Sequence, residues 1–179
     1  MFTKTIIFLT ILLMPLVQIE LKNNKGEKTR IKDFGKYHAT ILWFISPECP
    51  LCQNYTLTIK KFQEKYNSKI RFIGIVSGKD FTIEDIEKFK REYQIKIEVL
   101  FDEEKKLVKH LAASITPEVF VYDKTSKLVY SGRIDNWAYA PGKTRTVITK
   151  NELADVLQKL SEGKNVSFHK TQAVGCFIE

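Results

Sequence analysis

At 179 residues, 44% of them hydrophobic and 12% aromatic, the chain carries enough apolar mass for one globular domain and too little length for two full ones. With only eight Gly and five Pro it is neither a disordered, a collagen-like nor a low-complexity chain. The net charge of +8 comes from 29 basic residues, 24 of them Lys, scattered from Lys4 to Lys170 without a run of five. Such a solvated basic surface is not a nucleic-acid stripe, and no nucleic-acid partner is expected. The densest stretch, Lys22 to Lys36, adds at most a weak attraction to an anionic membrane.

Met1-Phe-Thr-Lys4 followed by the uncharged, mostly apolar run Thr5 to Ile19 has the layout of an export signal. Pro15 and the shortness of the run favour a removed signal peptide over a spanning helix. No small-x-small cleavage triplet stands between Leu13 and Leu21, which leaves an uncleaved N-terminal anchor, and with it membrane association, open. Residues 1–19 are therefore assigned to a signal peptide or anchor, and the location to the periplasm or another extracytoplasmic compartment.

From Val17 the pattern alternates through Ile19 and Leu21, turns at Asn23-Asn24-Lys25-Gly26 and returns to Ile31, which predicts a hairpin at the domain entrance. Ala39 to Ile45 is a continuous apolar run, as expected for a strand buried on both faces. After Pro50 the apolar positions Leu51, Tyr55, Ile59, Phe62 and Tyr66 fall on one helical face. Ile70 to Ser77 predicts a second buried strand. Thr82 to Tyr93 predicts a helix with Thr82 and Asp85 as its capping box.

Ile95 to Phe101 predicts a third strand, and Asp102 is expected to cap a short helix through Leu111. Val119 to Tyr122 and Leu128 to Ile134, joined by a short turn, predict an antiparallel pair. A long loop, Asp135 to Ile148, then leads to a last helix expected to be capped by Thr149 and Glu152. The whole is an α/β chain: a central mixed β-sheet, parallel in its first part, flanked by helices on both faces. The domain runs over 20–163, and 164–179 is a tail.

Three cysteines are too few for a disulfide scaffold, and their odd number leaves one thiol over. Cys49 and Cys52, three apart, follow the first buried strand and open the first helix. At a helix N-cap the free N–H groups and the dipole stabilise a thiolate, which makes Cys49 the expected nucleophile and Cys52 the resolving thiol. Pro50, at the first helical position, loses no hydrogen bond. A structural zinc needs a second pair of ligands at short spacing, and His38, His110 and His169 stand alone, so neither metal nor cofactor is expected.

Trp43-Phe-Ile-Ser-Pro-Glu-Cys49-Pro-Leu-Cys52, with Thr116-Pro117 ahead of a strand, resembles the thioredoxin superfamily. The entrance hairpin and signal layout resemble its exported TlpA/ResA-like and redoxin (AhpC/TSA-type) branch. Thr116-Pro-Glu-Val-Phe-Val-Tyr-Asp123, Gly132-Arg-Ile-Asp135 and Ala173-Val-Gly-Cys176 are similar to bacterial redoxin domains. The resemblance implies a thioredoxin-like fold and a cis Pro117 packed against the disulfide. It also implies a substrate groove along Pro50, Thr116 and Pro117.

The implied activity is that of an exported thiol:disulfide oxidoreductase, with protein thiols or disulfides as substrates and an unidentified thiol–disulfide electron donor. The chain departs from the pattern where thioredoxins have a buried acid, here Trp43, and where some exported members have another, here Tyr55. Cys176 suggests a second resolving thiol, which keeps a peroxiredoxin-like peroxidase with peroxidatic Cys49 as the alternative. The arginine of such an enzyme would have to be Arg133 or Arg145. A Cu(I) chaperone of the Sco type is the third reading, without a histidine to match. Glu48 beside Cys49 is expected to oppose the helix-end effect and favour a reducing poise.

Overall fold

The structure, a computed structural model, describes residues 16–179. All but the last four residues of the expected signal or anchor segment lie outside the described residues. Among the described residues no helix is long and apolar enough to cross a membrane.

The entrance hairpin forms as β1 (Glu20–Lys22) and β2 (Lys28–Arg30), paired antiparallel. Then follow β3 (Ala39–Ile45), α1 (Pro50–Tyr66), β4 (Ile70–Ser77), α2 (Ile83–Glu92), β5 (Glu98–Asp102) and α3 (Lys106–Leu111). The second half contains β6 (Ile115–Thr116), β7 (Glu118–Asp123), β8 (Leu128–Gly132), β9 (Ala138–Ala140), β10 (Lys143–Thr144), α4 (Glu152–Ser161), β11 (His169–Lys170) and β12 (Cys176–Phe177).

Eight strands make one mixed sheet in the order β11-β8-β7-β3-β4-β5-β1-β2. β3, β4 and β5 run parallel, whereas β7 lies antiparallel to β3 and β8 antiparallel to β7. β3 is buried along its whole length because its side chains alternate between two cores. Ile41, Trp43 and Ile45 meet α1, α2 and α4 on one face. Leu42 and Phe44 meet α3 and the entrance segment, with Leu16, Ile19 and Phe34, on the other.

Local chemistry explains the ends. The capping box of α2 forms in full: Asp85 N–H donates to Thr82 Oγ1 at 3.2 Å and Thr82 N–H to Asp85 Oδ2 at 2.8 Å. Asp102 ends β5 instead of standing at the N-cap of α3, which is Lys105, yet its carboxylate still accepts the Val108 N–H at 2.9 Å. β5 starts at Glu98, later than the apolar pattern suggests, because the Ile95 N–H turns back to the Lys90 carbonyl.

The cap expected of Thr149 and Glu152 is absent. Asn151 is the N-cap of α4, Thr149 is tied to Asn136 through both its N–H and its hydroxyl, and Glu152 pairs with Arg133. The loop after β8 is not bare, since β9 and β10 form a small hairpin within it. The tail is not free either. β11 adds to the sheet edge parallel to β8, and β12 pairs antiparallel with β6.

Candidate active site around three thiols

α1 opens at Pro50 directly after the end of β3 and a short turn, so Cys49 falls on the residue before the helix, where the first N–H groups have no helical partner. The turn is closed by the Cys49 N–H on the Ser46 carbonyl at 3.1 Å, and the helix by the Gln53 N–H on the Cys49 carbonyl at 3.1 Å. Cys52, one turn in, points into the core and is fully buried, 3.9 Å from Cys49. Pro50 between them stays exposed.

Across from the thiols, the Thr116–Pro117 bond is cis, and the Thr116 carbonyl lies 3.2 Å from Cys49 Sγ, from which it accepts only in the thiol form. Thr116 and Pro117 are both buried. Antiparallel to Thr116, in direct register, runs Cys176 of β12, whose carbonyl accepts the Thr116 hydroxyl at 3.5 Å. The structure therefore brings Cys49, Cys52, Thr116, Pro117 and Cys176 together. An open pocket at this point is lined by Ser46, Glu48, Cys49, Thr116, Cys176 and Phe177 among others.

The electrostatics separate the three thiols. Cys49 is pulled down to about 4, first by the thiol of Cys52, then by the thiol of Cys176 and the main-chain N–H groups of both, against the opposing effect of burial. Cys52 is pushed well above the ordinary thiol value by burial and by the neighbouring Cys49, with the Ser46 main chain and the Thr116 side chain opposing. Cys176 rises to about 12 through desolvation and its contact with Cys49. Hydrogen-bond donors dominate at Cys49, and Glu48, expected to oppose the thiolate, is not among the main groups that shift it.

The departures from the superfamily pattern also find places. Trp43 is buried on the helix-covered face with its indole N–H unpartnered. Tyr55 donates its hydroxyl to Asp135 at 2.6 Å, and Asp135 also accepts the Trp137 N–H at 2.8 Å. Burial and this carboxylate raise the Tyr55 phenol, keeping it a proton donor. The buried Asp135 was hidden at the head of a predicted loop; its one signal was the Gly132-Arg-Ile-Asp135 stretch. Glu118, next to Pro117, is also buried, accepts the Ser114 N–H at 3.3 Å and is raised by desolvation.

The arginines considered for peroxide chemistry lie elsewhere. Arg133 is ion-paired with Glu152, Arg145 stacks over Tyr139 at 4.6 Å, and neither lines the thiol pocket. Nor do the histidines approach it: His38 Nδ1 faces the Leu160 carbonyl and His169 Nδ1 that of Ser167. Among the described residues no group of three or more His, Cys, Asp or Glu forms a metal-holding cluster.

Several solved structures share this architecture. An uncharacterized conserved protein from Geobacillus kaustophilus superposes with a TM-score of 0.77 at 25% identity, over 90% of this chain and 87% of that one. A hypothetical protein from Sinorhizobium meliloti gives 0.74 at 24%, over 89% of each chain. A secreted Mycobacterium tuberculosis disulfide oxidoreductase, described as homologous to the DsbE protein of E. coli, gives 0.55 at 15%, over 82% and 96%. No curated protein matches the chain. Residues 14–131 match the AhpC/TSA family model, well over half of the sequence. With its thioredoxin-like fold and its thiols gathered at a helix N-terminus beside a cis proline, the chain belongs to the AhpC/TSA family and is an oxidoreductase of the thioredoxin-like class.

Proposed function

We propose that the protein is an extracytoplasmic thiol:disulfide oxidoreductase that works on protein disulfides through Cys49 and Cys52. The observation that carries this reading is the geometry of Cys49 at the head of α1, 3.9 Å from a fully buried second thiol, with its own thiol pulled down by Cys52 and Cys176. The Cys49 thiolate attacks a partner disulfide, forming a Cys49–partner bond and releasing the other partner sulfur as thiolate. Cys52 then loses its proton and attacks Cys49, closing the Cys49–Cys52 disulfide and releasing the second partner thiolate. Run backwards, the same steps oxidise a dithiol, with the thiol–disulfide donor or acceptor as the only co-reactant.

Thr116 and Pro117 are assigned to substrate docking, supported by their position across from Cys49, with the partner meeting the side of Thr116 that β12 leaves open, and Pro50 to the exposed rim between the cysteines. The location rests on the basic, then apolar, residues 1–19, read as a signal or anchor, with 20–163 as the catalytic domain and 164–179 as its tail. A peroxidase is disfavoured because no guanidinium lines the pocket that would receive a peroxide.

The test is equilibration of the reduced protein in a glutathione redox series, read by intact mass and peptide mapping. A reversible disulfide involving Cys49, lost in Cys49→Ser, supports the reading. Full exchange activity in Cys49→Ser removes Cys49 as nucleophile and overturns it.

A further inference from the structure

The third thiol is held in place by more than its position in the sequence. β12 lies on β6 with Cys176 opposite Thr116 and Phe177 opposite Ile115. Beyond it the Ile178 N–H donates to the Ser114 carbonyl at 2.9 Å, Ile178 packs on the entrance-side core, and Lys105 Nζ reaches the Glu179 main-chain oxygen. Upstream, the Thr171 N–H donates to the Ser131 carbonyl at 2.9 Å, and its hydroxyl engages Tyr130 OH and the Arg133 N–H.

Both close approaches of the tail fall on glycine. Gly132, at φ +133°, lies so close to Thr171 that a Cβ there would overlap it. Gly175 lies against the Thr116 carbonyl, and a Cβ on it would collide with that carbonyl and with Ile115. A larger residue at 175 would lift the tail off β6. The tail thus lays an antiparallel strand on the residue before Pro117 and sets both the thiol and the main-chain N–H of Cys176 against Cys49.

We infer that this docked tail makes Cys176 a second resolving residue, which competes with Cys52 for the sulfur of Cys49. In a mixed disulfide between Cys49 and a partner, the Cys176 thiol gives up its proton, attacks Cys49 Sγ and forms a Cys49–Cys176 bond, while the partner sulfur leaves as thiolate. Cys52 can then attack the same Cys49 Sγ, closing Cys49–Cys52 and returning Cys176 to a thiol. One disulfide is passed between two positions, so no oxidant or reductant beyond the partner is consumed.

The environments of the two thiols support the competition. Burial is the main cause that raises either one, and Cys52 is fully enclosed whereas Cys176 is half-buried at the pocket wall. Once Cys49 is bonded to a partner it no longer carries the negative charge that raises both. Cys176 is then the less desolvated of the two and the easier to ionise. No acid stands at Trp43 or Tyr55, where a carboxylate would otherwise help to ionise Cys52.

The inference rests on Cys49 as nucleophile, and the experiment separates the two. Full-length reduced Cys52→Ser and Cys52→Ser/Cys176→Ser are treated with oxidised glutathione and followed by intact mass and peptide mapping. The double variant should accumulate a stable glutathione adduct on Cys49. Cys52→Ser alone should lose that adduct and appear as a Cys49–Cys176 disulfide. Cys52→Ser/Gly175→Val, which keeps the thiol but undocks its strand, should keep the adduct. An equally persistent adduct in Cys52→Ser and the double variant overturns the inference and leaves Cys49 as nucleophile. Loss of the adduct in the Gly175→Val background at the rate seen in Cys52→Ser overturns the role of docking. Absence of any Cys49 adduct in the double variant overturns the proposed function itself.

Discussion

The two faces of the central sheet are built from the same strands and differ in what they bury. On the entrance side, Leu42, Phe44, Leu100 and Phe120 pack with α3 and the residues ahead of β3, and aromatic pairs such as Phe44–Phe120, at 5.5 Å and 70°, interlock edge to face. On the α1 side the core also encloses Cys52, the Tyr55–Asp135 hydrogen bond and the unpartnered Trp43 N–H. One face is nearly pure packing, while the other gives up some apolar contact to hold polar groups in fixed relation to a thiolate. β3 serves both because consecutive residues point to opposite sides.

Substitution on the packing face should cost stability and leave the chemistry alone. Phe44→Ala, at a position with no exposure, is expected to lower the unfolding free energy by about 3–5 kcal/mol in denaturant melts. The surviving folded fraction should keep the acidic thiol of the parent. A displaced thiol titration in that variant would show that the two faces are not independent.

The site face has a pH signature of its own. Alkylation of Cys49 should stay level through neutral pH and fall only near 4, whereas alkylation of Cys176 should still be climbing above 9. Because the folded value of Cys49 lies below the unfolded one, its contribution to the stability of the reduced protein is complete above about 9, the ordinary thiol value, and declines as pH falls toward 4. The oxidised protein lacks that thiolate, so the stability of the reduced form relative to the oxidised one, read from thermal melts, should fall as the solution is acidified through this window. A constant gap between them would refute the assigned thiolate.

The smallest of the three effects concerns the polar support behind the thiols. Tyr55→Phe removes the 2.6 Å bond to Asp135 and leaves that buried carboxylate with the Trp137 N–H. The expected loss is about 1–3 kcal/mol, measured by chemical denaturation. Unchanged stability would mean that Asp135 finds another donor.

What could be read in the sequence follows from how each element is specified. β3 announced itself by an unbroken apolar run and α1 by the recurrence of Leu51, Tyr55, Ile59 and Phe62, because both signals are local. The capping box of α2 was legible for the same reason. Thr149 misled because its hydroxyl, equally able to cap a helix, is taken by Asn136 thirteen residues earlier.

Cys49 and Cys52 were found from spacing and context, and Cys176 as a candidate from the odd count. Its docking was not legible, since β11 and β12 are two residues each and exist only because the sheet edge and β6 accept them. The bond of Asp135 to Tyr55 was not legible because the two lie 80 residues apart, a relation that only the fold creates.

Pinning a thiol beside its target also changes what the surroundings have to supply. A tethered group meets its partner at an effective concentration of millimolar or more, independent of dilution. With the tail seated on β6, Cys49 faces Cys176 at that standing concentration wherever the protein is found. The chain would thus bring its own reserve for clearing a stalled partner from Cys49.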